Sequence, residues 1–168
     1  MHSTLAKVLR TDPDATTILI RLMVGAVFLS EGIQKYLFPE LRGAGRFEKI
    51  GLPNPEFLGY FVGLFEILCG LFILIGLLTR LSAIPTLIIM IVAFATTKSE
   101  ILANEGFWSM MHGSRTDWAM LLGSIFLIIK GGGKWSVDRI ITNVELQDGF
   151  ISKENMDSIR IKNKQTIQ

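Results

Sequence analysis

A carboxylate set in a hydrocarbon run is where chemistry is first expected. Glu66, in "GLFEILCG", is the sole charged residue between Phe57 and Leu78. Away from water a carboxyl group either pairs with a cation or takes up a proton, so Glu66 is a candidate proton-exchanging group. Its candidate partners lie upstream, in "IRLMVGAVFLSEGIQKYL": Arg21, Glu31 and Lys35. Glu31 is the second candidate for proton exchange, and Glu31 and Lys35 are i, i+4 neighbours on a helix. Arg21, Lys35 and Glu66, with the rings of Phe28 and Phe65, have the apolar and hydrogen-bonding character that a ligand headgroup needs. A further group, His112, Arg115 and Asp117, falls in "MHGSRTDW" at the edge of an apolar run, where an imidazole can pass protons between water and the interior.

Other chemistries are excluded. Cys69 is the only cysteine, so no C-x-x-C dithiol forms within the chain. The two histidines, His2 and His112, lie outside the apolar runs and offer no pair of axial haem ligands. No E-x-x-H pairs suggest a di-iron centre. Gly43, Gly45 and Gly51 share a loop with Pro53 and Pro55 and open no phosphate-binding unit. The 17 basic residues are scattered and nearly balanced by 15 acids, which argues against nucleic acid as a partner. Neither a metal site nor an intrinsic cofactor is expected.

The elements that must position these residues follow from composition. Of 168 residues, 49% are hydrophobic and 19% charged, and the mean hydropathy is +0.44, so the lipid bilayer is the expected solvent. Four runs approach the roughly 20 apolar residues that a membrane helix needs: about 18–38, 57–79, 81–97 and 117–131. The expected fold is all-α, an integral membrane four-helix bundle with antiparallel neighbouring spans. A head (1–17) precedes the transmembrane domain (18–139), and a polar tail (140–168) with no clear period comes after it. The first run is too long for a signal peptide and has no small-residue cleavage pattern after it.

Span ends are marked locally. Pro85 is expected in the first turn of the third helix, and Ser114 with Asp117 reads as a capping start for the fourth. "GGG" at 131–133 ends that helix, and Trp118 and Trp135 are expected about 25 Å apart along it, one at each interface. "FWSMM" is apolar enough to dip back as a lid, and the loop around Phe47 and Ile50 suits a short interfacial helix.

Two stripes run at helical steps: Arg21, Gly25, Phe28, Gly32 and Lys35, then Gly59, Gly63, Glu66 and Gly70. Small residues let helices approach closely, and the polar ones on the same stripe must face the bundle. Counted from Phe57, Glu66 lies about 14 Å into a core roughly 30 Å thick. Gly59 and Gly63 also form a G-x-x-x-G pair that would serve a homo-oligomer. Basic residues near the spans divide evenly between the two sides, and those of the tail tip the expectation to cytoplasmic termini.

Three stretches, "FLSEGIQKYLFP", "GLPNPEFLGYFVGLFEILCGLFILIGLLTRLSAIPTLIIMIVAF" and "FWSMMHGSRTDWAMLLGSIFLIIKGGGKWSVDR", resemble the DoxX family of four-helix membrane proteins. The resemblance runs from about Ile18 to Arg139 and rests most on "GIQK", on Glu66 among glycines, on "HGSRTDWAMLLG" and on "GGGKWSVDR". It implies a bacterial inner-membrane protein. Some relatives are linked to thiosulfate:quinone oxidoreductase as a membrane subunit, which implies quinone as ligand and a partner protein that supplies electrons. The family offers no agreed catalytic residues to carry over. Two readings of the charged core therefore stand together: a proton-exchanging ligand site, or an ion-pair network that fixes helix register in a small transport or scaffold protein.

Overall fold

The computed structural model describes Leu9 and residues 11–144, and among these the regular elements are all helical. Most of the expected tail lies outside the described residues, while its first residues belong to a helix over 137–144. Four helices carry the architecture: α1 (Thr17–Leu37), α4 (Pro55–Ile75), α5 (Thr79–Ala93) and α8 (Arg115–Lys130). Short helices α2 (Pro39–Arg42) and α3 (Ala44–Lys49) fill the first long connection. A π-turn (Phe94–Lys98) then continues α5 into α6 (Ser99–Glu105), which turns into α7 (Phe107–Gly113).

The breaks follow from residue type. Gly76 (φ 74°) and Gly131 (φ 78°) stop α4 and α8 in backbone conformations open to glycine. Pro55 stands at the start of α4, where a missing N–H costs nothing. Ahead of α1, the Asp14 carboxylate accepts the Thr16 N–H at 2.8 Å and its hydroxyl, which holds this acid below its ordinary pKa. Pro85 is not in a first turn: α5 begins at Thr79, so the proline is interior and removes one bond from the helical ladder.

Among the described residues, three helical runs are long and apolar enough to cross a membrane: Thr17–Leu37, Pro55–Ile75 and Thr79–Glu105. At 16 residues, α8 is shorter, about 24 Å. The helix stops at Lys130, so Trp118 and Trp135 do not share one continuous helix, contrary to expectation. The four long helices form a ring in which α1 touches α4 and α8, and α5 touches the same two. Each supplies side chains to one core, made of Val24, Phe28, Ile73, Ala83, Met120 and Leu127.

Both stripes face inward: all nine of their residues are buried. Contacts run in opposite order along α1 and α4, Gly25 with Gly70 and Gly32 with Gly63, so this pair is antiparallel. The approach leaves no room for a methyl group. A Cβ on Gly70 would lie 2.6 Å from the Leu29 nitrogen and 2.9 Å from the Gly25 oxygen, both backbone atoms that cannot yield. Gly70→Ala is expected to cost about 1–3 kcal/mol by forcing α1 from α4. Thermal unfolding in detergent checks this against Gly113→Ala, whose methyl group would meet nothing within 4 Å.

Candidate functional site

Polar groups gather at three places in this apolar frame. In the α1–α4 seam, Lys35 Nζ lies 2.6 Å from Glu66 Oε2, with both side chains under 10% exposed. The contact is an ion pair whose geometry falls outside that of an ordinary hydrogen bond. Glu66 stands midway along α4, and Lys35, near the end of α1, reaches inward along its aliphatic stem. The other charges that act on Glu66 are Glu31, which is half-buried, and Arg46 on α3. The α3 segment comes close because Gly59 lets the Ala44 backbone sit against α4. Tyr36 covers Gly63 one turn away, packs its ring at a tilt against Tyr60 with centroids 5.4 Å apart, and donates its hydroxyl to the Tyr60 carbonyl at 2.8 Å.

Arg21 is not part of this group. Its guanidinium donates to the carbonyls of Ile73 (2.8 Å), Leu74 (2.5 Å), Gly132 (3.1 Å) and Trp135 (2.5 Å). Ile73 lies seven residues from Glu66, about 10 Å along α4. Arg21 thus satisfies the carbonyl end of α4 with a positive charge, where the helix dipole favours one. Beside it, buried Asp138 accepts the N–H groups of Leu78 (2.6 Å) and Thr79 (2.9 Å) and so caps α5. That cap holds Leu78 at φ 47°, a conformation costly for a branched residue. The Thr11 hydroxyl accepts the Gly133 N–H, and Asp12 pairs with Lys130 at 2.8 Å, so the head is stitched to the same knot.

The third place is the π-turn. Lys98, buried, pairs with Asp117 at 2.9 Å and donates to the Gly113 carbonyl at 2.9 Å. Ser114 does not cap α8 as its position suggests; its hydroxyl turns back to the Met110 carbonyl. His112 and Arg115 are exposed and stand apart from this pair. The expected lid, α7, packs on α6 and α8, and Trp108 on it is 82% exposed.

Of the five residues expected around a ligand, only Lys35 and Glu66 meet. Phe28 is spent on the core. Phe65 faces outward, tilted against Phe61 at 4.9 Å in a ladder that begins at Phe57. Lys35 pairs with Glu66 across the seam rather than with its helical neighbour Glu31. Sequence reasoning missed Lys98, Asp138 and Arg46. Asp138 carried a signal, since an acid after "GGGKWSV" sits within reach of a helix start that has no cap of its own.

Described elements that are all helical, with several apolar runs, small-residue seams and buried lysine–carboxylate pairs, define a small integral membrane protein. The chain belongs to the DoxX family, whose model, described as DoxX, matches residues 16–99. It is 49% identical over 139 residues to "Uncharacterized membrane protein Rv3486" of Mycobacterium tuberculosis, covering 79% of this chain and 85% of that one. It is also 28% identical over 126 residues to "Putative oxidoreductase CatD" of Bacillus subtilis, covering 74% and 86%. No solved structure matches it.

Proposed function

We propose that this protein is a membrane subunit of a redox assembly, and that the Lys35–Glu66 pair binds a quinone or similar lipid-soluble ligand and exchanges a proton with it. One observation carries the reading: a carboxylate and an ammonium group are buried together midway along a span, at 2.6 Å. Intramembrane charges are costly and mark ligand or proton sites more often than other positions do. The name of the Bacillus subtilis relative supports the redox assignment. The ligand approaches from the lipid side, past Tyr36 and Tyr60, and Arg46 with Glu31 balances charge at the mouth of the seam. Electrons come from a partner protein. The chain crosses a bacterial inner membrane four times, with α8 as the fourth span and both termini in the cytoplasm.

A second reading is favoured by the glycine contacts that flank Glu66 along α4, Gly25–Gly70 and Gly32–Gly63. In a seam this close the ion pair sets the register of α1 against α4, and the protein is a small transport or scaffold component. Purification in a mild detergent, with mass spectrometry of the lipids that remain bound, separates the two. Quinone enriched in the parent and lost in Glu66→Gln at equal folded yield is the expected result. No enriched ligand in either form would defeat the ligand-site reading.

A further inference from the structure

The α6–α7 hairpin has a surface that the proposed site does not use. Lys98 is anchored twice at its base, to Asp117 and to the Gly113 carbonyl. Beside that base, Phe94 and Trp118 stack edge to face at 4.9 Å, in the position of an interfacial aromatic belt. Beyond the base the hairpin presents Leu102 (45% exposed), Phe107 (53%) and Trp108 (82%). Trp108 packs edge-on against Phe107, so the two rings form one exposed patch beside Gly106 at the hairpin tip (φ 87°).

Length says what covers this patch. From Thr79 to Lys98 the helix already spans about 30 Å, the whole hydrocarbon thickness. The continuous run to Glu105 holds 27 residues, so α6 and α7 begin where the hydrocarbon ends. The π-turn at that level adds a residue to the ladder and re-aims the helix beyond it. In the headgroup layer a tryptophan has its preferred place, with ring on acyl chains and N–H in the polar zone. Glu100 and Glu105, both exposed, keep the hairpin from entering the hydrocarbon itself.

We infer that the α6–α7 hairpin lies in the lipid headgroup layer, with Phe107 and Trp108 inserted into the bilayer surface on the side where α1 ends. This extends the lipid-facing belt of the spans and is independent of any ligand at Glu66.

The test uses tryptophan fluorescence of the full chain in nanodiscs, comparing the parent with Trp108→Phe so that the difference signal belongs to Trp108. Trp108 is exposed and Phe is a close substitute, so the variant folds. Phosphatidylcholine brominated near the headgroup end of its acyl chains is expected to lower that signal by about half, with iodide in the buffer having little effect. Quenching by iodide and not by bromolipid would place Trp108 in water and overturn the inference. Shielding from both would mean that protein covers the hairpin, and would overturn it equally.

Discussion

Replacing Arg21 by Met lowers the unfolding midpoint in detergent by on the order of 10 °C, among the largest single-residue losses expected in this chain. The physical ground is the number of groups that the guanidinium serves. Its nitrogens bond four backbone carbonyls, from the end of α4 and from the segment after α8, at a site 2% exposed. A thioether fills the space and bonds none of them, so buried acceptors lose their partners and Asp138 loses the nearby cation. Removal of one buried charged partner typically costs about 3–5 kcal/mol, a large part of the stability of any domain. Arg21→Lys sharpens the test. An ammonium group keeps the charge but cannot reach carbonyls on two segments at once, so it restores only part of the loss. Full recovery with Lys would mean that charge alone matters at Arg21, and the four-carbonyl account would be wrong.

The same residue shows where sequence reasoning reached and where it stopped. The stripe Arg21, Gly25, Phe28, Gly32 and Lys35 was legible because a helix has one period, and every member is buried on one face. The position of Glu66 along its helix was legible, midway in the 21 residues of α4, since counting residues measures distance along a straight helix. The partner of Arg21 was not legible. Its acceptors are main-chain carbonyls, which leave no trace in residue type, and two of them belong to a turn more than a hundred positions away. The places of Phe65 and Phe28 were not legible for a related reason: an aromatic residue suits core, lipid and ligand alike, and only packing puts Phe28 in the core and Phe65 beside Phe61. Pro85 was misplaced because the second run was drawn through Thr79 and the third from Leu81, whereas Asp138 caps a new helix that already begins at Thr79. Lys98 resembled an ordinary span-ending cation, and its burial depends on a π-turn that no spacing announces.

The second large effect is expected at the Lys35–Glu66 pair, where changing either residue alone is costly and changing both together is not. Lys35→Met alone leaves a carboxylate facing hydrocarbon, and Glu66→Met alone leaves an ammonium group there; each is expected to lower stability by about 3–5 kcal/mol. The double variant places two thioethers in the same seam, with no charge to desolvate, and is expected to return near the parent. Unfolding in a denaturing detergent, run on all four forms, gives the coupling energy directly. Penalties that simply add would mean that the 2.6 Å contact is not a functional unit of the fold. Stability recovered by the double variant fits either a register device or a ligand site, so the same four samples are analysed for bound quinone. A register device predicts that the stable double variant behaves as the parent in every lipid-binding measurement. A proton-exchanging site predicts a protein equally stable and empty of ligand, because the apolar shape of the seam is kept while the groups that recognise a headgroup are gone.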